Sequence, residues 1–374
     1  RTNVTFTQTT SACKGILVPI KSHFELIDST ISNCVSSSNG GAFSYRDGLR
    51  EANDLESDYT ENLVFINTII DNCESGNGRA MFMTLTSYNT TFNNLIIQHV
   101  NSRTGFILTI GHQVNAITGT VIFEECKFID CRTNNNDGGG LGFWCSDEKE
   151  IKFNNCLFQQ LIAGQSGGAI SFTASAPRRN TILSFDKCLF NQNEANIKGS
   201  ALYVDITSQL HIYDCNFTNN NNKNQNNDGG AIFITSNCRD ILIEKTEFHL
   251  NTQESQASTG NAIYFEENQN EFAGVISECT FVNCGNEGSV VYSDGVDIEF
   301  VQNTISFTQP EIGAKGLHVP KSCNIHITNS TFSGCVSGSE SAGFVYDSRN
   351  NLSSAGLITL ENTIFENNNA TNGC

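Results

Sequence analysis

Apolar and polar residues alternate along this chain in short runs, and no apolar stripe persists at helical spacing anywhere. The stretch 151–172, IKFNNCLFQQLIAGQSGGAISF, shows the unit. Ile151 and Phe153 flank a lysine, the period-two pattern of a strand with one buried face, and Cys156 and Phe158 repeat the spacing. A third apolar run covers 169–172. Between the runs stand Asn154-Asn155, which tolerate the left-handed backbone of a sharp bend, and Gly167-Gly168, which carry no Cβ penalty there. One such unit cannot bury its own apolar face, so it needs copies stacked on it.

The copies are present. Aligned on Phe158, the anchor series Phe6, Ile31, Ile70, Ile97, Phe128, Phe158, Phe190, Phe217, Phe248, Phe281, Ile305, Phe332 and Phe365 recurs at intervals of 24 to 39 residues. Five positions before most anchors comes another apolar residue, as at Phe65, Phe123, Phe153, Phe185 and Ile212. After the anchor and a polar turn follows a second signature: Gly-Gly-Ala-Phe at 40–43, Gly-Gly-Ala-Ile at 167–170 and 229–232, Gly-Ser-Ala-Leu at 199–202, Gly-Asn-Ala-Ile at 260–263. About thirteen coils of three strands therefore fill the 374 residues. The pattern predicts an all-β fold, a right-handed parallel β-helix in which each strand pairs with its copy one coil above and below. Leucine-rich, ankyrin and tetratricopeptide units need helices, and a propeller blade needs four antiparallel strands. At ~4.8 Å per coil the rod is on the order of 60 Å long. Because a solenoid grows by adding coils, residues 1–374 are expected to form one continuous domain.

Composition narrows the function. Four prolines suit uninterrupted ladders, and with 16% charged residues the surface must be built largely from the 47 asparagines and from Ser and Thr. A net charge of −18 argues against a nucleic-acid partner, whose phosphates it would repel. No run of eighteen apolar residues predicts a membrane segment. The chain starts at Arg1 without a charged-then-apolar leader, so it reads as a mature chain or a piece of a longer surface protein.

Fifteen cysteines occur without a CxxC or a Cys/His cluster of metal spacing. Cys126, Cys156, Cys188 and Cys215 hold one position, two before the anchor, in successive coils; Cys34 and Cys73 hold another, three after it. Stacked strands set such residues ~4.8 Å apart, within disulfide reach. Inter-coil disulfides are expected, with Cys34–Cys73 and Cys188–Cys215 favoured, which suits a secreted or cell-surface protein. The competing reading is that cysteine stacks here as a small buried thiol. Six N-glycosylation sequons begin at Asn3, Asn89, Asn216, Asn329, Asn351 and Asn369, a number that this Asn, Ser and Thr content produces by chance. Asn216, between inward Cys215 and inward Phe217, should face solvent.

The pairing of Gly-Gly-Ala-Ile with Phe-x-x-Asn, at Phe190–Asn193, Phe217–Asn220, Phe248–Asn251 and Phe365–Asn368, resembles the repeats of the chlamydial polymorphic outer-membrane proteins. It also resembles repeats in large surface proteins of some unicellular eukaryotes. The likeness covers nearly the whole chain, although coils such as 305–308 and 332–335 keep only half of the motif. It implies a right-handed β-helix displayed outside the cell and used for adhesion, with a cell-surface or glycan ligand. The motif itself is structural: Gly makes the bend, Ala fits the corner, Phe fills the core, and Asn caps the turn.

The rival class is a carbohydrate-active enzyme, because pectate-lyase and polygalacturonase folds are also β-helices with sites on one outer face. Such sites need charged groups clustered on adjacent coils, as acid–base pairs or calcium ligands. The outward candidates lie three and four before the anchor: Glu124, Asp186, Asp214 and Glu244, with Glu125, Lys187, Lys245 and Glu278 beside them. Calcium held by Glu124, Asp186, Asp214 and Glu244 is the one cofactor reading; the interleaved lysines favour a solvated face instead. No catalytic residue is assigned. The expectation is an adhesive or structural rod, and with no amphipathic helix to cap either end it should either stack end to end on copies of itself or stack on neighbouring segments of a longer rod.

Overall fold

The computed structural model describes residues 3–5, 15–19, 23–36, 41–46, 61–75, 81–83, 88–103, 106–111, 119–134, 139–145, 149–174, 181–205, 209–223, 229–254, 260–267, 273–285, 288–308, 314–338, 341–346 and 356–371. The coil containing Phe158 has a lead strand Lys149–Asn154, an anchor strand Leu157–Gln159, a short strand Ile162–Ala163 and a return strand Ile170–Ala174. Each pairs in parallel with its counterparts in the neighbouring coils, so Phe123, Phe153 and Phe185 stand in one register and Phe128, Phe158 and Phe190 in another. Repeated along the chain, this builds an anchor sheet of 13 strands and lead and return sheets of 12 strands each. The described residues contain no helix. The fold is the parallel β-helix that the repeat predicts.

Stacked rings fill the interior. Phe128, Phe158, Phe190, Phe217 and Phe248 follow one another with centroids 5.2, 4.7, 4.5 and 5.0 Å apart, all with no exposed surface. The lead ladder runs Phe65, Phe92, Phe123, Phe153, Phe185 at 5.1, 4.5, 4.6 and 4.9 Å. These spacings are the strand-to-strand distance itself, so rings in register stack by default.

The bends use the residues their backbone demands. Asn67, Asn94, Glu125, Asn155, Lys187, Asp214, Lys245 and Glu278 stand at successive lead-to-anchor bends with φ between 48° and 53°. Asparagine enters this left-handed region most readily, and its side chain gains a ladder there: Asn94 donates to Asn67 and Asn67 to Asp28, each at 3.0 Å. At the corner before the return strand, a Cβ on Gly168 would lie 1.9 Å from the Ser200 carbonyl oxygen. Only glycine allows the coils to approach there.

Coil one corrects the anchor series. Strand Asn3–Thr5 pairs Val4 with Ile31, so the anchor is Val4, and Phe6 lies outside the described residues. Positions 4 and 6 have the same parity in a period-two pattern, so alternation cannot choose between them and only the pairing register does.

Candidate functional site

Register decides which outward groups meet. Glu124, Asn154, Asp186, Tyr213, Glu244 and Ser277 form one row along the lead sheet. Asn154 separates Glu124 from Asp186, and Tyr213 separates Asp186 from Glu244, leaving successive carboxylates two coils or ~9.6 Å apart. Asp214 belongs to the adjacent row, the left-handed bend, between Lys187 and Lys245. Each carboxylate on the first row already has a neighbour: Asn154 Nδ2 donates to Glu124 at 2.9 Å, Lys187 lies 3.8 Å from Asp186, and Ser277 Oγ donates to Glu244 at 3.3 Å. Among the described residues no three His, Cys, Asp or Glu side chains converge on a point. The calcium grouping of Glu124, Asp186, Asp214 and Glu244 is thus not assembled: the fold spreads along a rod what a calcium ion needs as six to eight oxygens around one centre.

The cysteines lie inside. Cys34, Cys73, Cys126, Cys156, Cys188 and Cys215 are thiols, each at most 2% exposed. The pairs Cys34–Cys73 and Cys188–Cys215 are opposed in register and carry no disulfide in this structure. The thiols are satisfied by backbone: Cys156 Sγ donates to the Asn154 and Phe123 carbonyls at 3.4 and 3.5 Å, and Cys188 Sγ to those of Asp186 and Phe153 at 3.4 Å each. Burial pushes Cys131 and Cys279 up to about 12 and Cys284 to about 11.

Higher in the rod, the position of Cys34 and Cys73 is taken by Asn193, Asn220 and Asn251, all fully buried. Asn193 Nδ2 donates to Asn220 Oδ1 and Asn220 Nδ2 to Asn251 Oδ1, each at 3.0 Å, while the same amides reach the Phe158 and Phe190 carbonyls at 3.0 Å. Their oxygens accept the backbone N–H of the coil below, as Leu161 N–H to Asn193 Oδ1 at 3.0 Å. The Phe-x-x-Asn motif is thus an internal cap at the anchor-strand exit.

Of the sequon asparagines, Asn89, Asn329 and Asn369 are exposed. Asn216 is half-buried and outward, with Nδ2 3.5 Å from Glu247 and a hydrogen bond from Thr218 Oγ1. Asn351 and the side chain of Asn3 lie outside the described residues.

The return sheet carries a feature that the sequence reading missed. Tyr203, Phe233, Tyr264 and Tyr292 pair in register on successive return strands and stack at 5.8, 4.6 and 4.9 Å, ending on His318 set edge-on at 5.2 Å. The signal was legible as an aromatic directly after the aliphatic of the glycine signature, in Leu202-Tyr203, Ile232-Phe233 and Ile263-Tyr264. Lys198 Nζ sits 4.2 Å from the Phe233 centroid and 3.1 Å from Glu266, and Lys321 pairs with Asp294 at 3.0 Å. Stacking between coils and Lys198 occupy the ring faces, and Phe233 is fully buried and Tyr264 buried, so the stripe offers no open face on which a sugar ring would lie.

Hydrogen-bonded amides, stacked rings and buried thiols, each repeated coil by coil, define the molecule as a ladder-built parallel β-helix. Metabotropic glutamate receptor-like protein P of Dictyostelium discoideum is 23% identical to it over 270 residues, covering 68% of this chain and 17% of that protein. The chain thus spans about a sixth of that relative's length. No family model matches the sequence, so the likeness to chlamydial repeats rests on the motifs alone, and no solved structure matches it either.

Proposed function

We propose that this chain is a structural and adhesive rod of the cell surface or extracellular space, one that stacks end to end with copies of itself. The carrying observation is the in-register parallel pairing of coil on coil, with 13 strands in the anchor sheet and 12 in each of the lead and return sheets. Leu360 and Phe365 continue the interior ladders of Ile327 and Phe332, which are fully buried, yet they are 48% and 42% exposed. A rod built by adding one strand layer to the next is suited to take a further layer from a second copy by the same parallel pairing. The receptor-like name of the Dictyostelium relative supports a surface setting. Light scattering across the micromolar range tests the assembly: average mass should rise with concentration for the native chain and stay monomeric for Phe365→Glu. A native chain that stays monomeric throughout overturns self-stacking. Labelling of intact cells with an impermeant reagent tests the location, and a chain labelled only after lysis overturns it.

A further inference from the structure

Four thiols stand in consecutive coils on the inner side of the lead-to-anchor bend. Glu124 opposite Asn154 precedes them and Lys127 opposite Leu157 follows, so Cys126 is opposed to Cys156. The same bracketing opposes Cys156 to Cys188 and Cys188 to Cys215, whose Sγ accepts the Cys188 N–H at 3.3 Å. The row is bounded on both sides by residues that cannot bond to sulfur, Leu95 below and Thr246 above. In-register parallel strands hold such Cα atoms ~4.8 Å apart, inside the roughly 4.4–6.8 Å span of a disulfide.

We infer that this row is a site of covalent modification that takes two disulfides, Cys126–Cys156 and Cys188–Cys215. Four sulfurs in a line can pair as neighbours without remainder in only this way. A Cys156–Cys188 bond would strand Cys126 and Cys215 three coils apart. Each bond forms by thiol–disulfide exchange with a disulfide oxidant such as oxidised glutathione. A thiolate attacks the oxidant and releases one of its thiols; the opposed cysteine then displaces the second. Two protein thiols lose two protons and two electrons, and the oxidant's disulfide becomes two thiols. Burial raises the Cys126 and Cys188 thiols; at Cys156 burial also opposes ionisation, but hydrogen bonds from both neighbours outweigh it and lower its pKa. Because all four are at most 2% exposed, exchange takes place as the coils close or when they open locally. The inference rests on register and stands whether or not copies stack.

Tryptic cleavage puts each of the four on its own peptide, 104–127, 153–178, 188–198 and 199–223. The full chain is refolded in a glutathione redox buffer, remaining thiols are blocked, and the digest is mapped without reductant. The expected products are 104–127 joined to 153–178 and 188–198 joined to 199–223. A 153–178 to 188–198 link, or four singly blocked peptides, overturns the inference. Cys156→Ser should abolish only the first link and leave Cys126 blocked; Cys126→Ser, at the edge of the row, should also spare the second link. Loss of the second link in a folded variant overturns the pairing.

Discussion

Phe158 lies between Phe128 and Phe190, 5.2 and 4.7 Å away, with none of its surface in water. Phe158→Ala removes both stacking partners and leaves a cavity the flanking coils cannot close, so unfolding free energy should fall by about 3–5 kcal/mol in urea titrations. Asparagine makes the sharper contrast. Asn220 is buried and bonded to Asn193, Asn251 and the Phe190 carbonyl, whereas exposed Asn72 donates to Asn33 at 2.7 Å. Asn220→Ala orphans several buried groups at about 1–3 kcal/mol each, while Asn72→Ala should cost no more than about 1 kcal/mol. Chemical denaturation of the two variants side by side checks this, and equal losses would contradict the inner-cap role. The Phe-x-x-Asn spacing revealed that an amide sits at the turn. That the amide points inward, bridging three coils, came only from the packing.

At the scale of the element, the bend is where sequence and backbone agree best: Asn154-Asn155 suggested a left-handed turn, and Asn155 has φ 51°. Lys187, Glu125 and Glu278 share that conformation without the local signature, because the coils on either side hold the backbone there. Past the anchor strand, the buried position carries Val100 in one coil and Cys131 in the next. Cys131 is held at about 12 by burial, above the ordinary thiol value of 9.0. Below that ordinary value both folded and unfolded thiols are protonated and the contribution is whole. Above it the unfolded chain gives up its proton while the folded one keeps it, so stability falls as pH rises from 9.0 towards 12. Between about pH 8 and about pH 10.5 the native protein should lose about 2 kcal/mol more than Cys131→Val. Paired urea curves at the two pH values measure it.

Across the whole molecule, charge and ends compete. A net charge of −18 makes any two copies repel, whereas the exposed apolar side chains Leu357, Leu360, Ile364 and Phe365 favour contact. Salt screens the repulsion and leaves the apolar contact intact, so end-to-end association should strengthen as ionic strength rises from about 0.01 M to about 0.15 M. Light scattering over that series reads the effect, and association that weakens with salt would instead mean ion pairs hold the joint. Within the rod, strand pairing joins each coil only to its neighbours, so core substitutions in coils far apart should act independently.

By itself the sequence determined the class of fold and most of its register, because a thirty-residue period with inward Phe and Ile at fixed offsets leaves one economical way to bury them. It also placed the thiol row, since residues at the same offset in successive coils must stack. What it left open were the outcomes that depend on pairing one residue more or less. Val4 rather than Phe6 is an anchor because the strand of Ile31 takes it as partner. Glu124, Asp186, Asp214 and Glu244 look like one acidic row in the linear count, but Asp214 is one residue round the bend and Asn154 and Tyr213 stand between the others. The ladder of Tyr203, Phe233, Tyr264 and Tyr292 becomes a feature only when strands about thirty residues apart are brought to 4.6–5.8 Å. Period and alternation can be counted along the chain, whereas which residue takes which partner belongs to the sheet, and tertiary structure decided the pairings that the offsets left open.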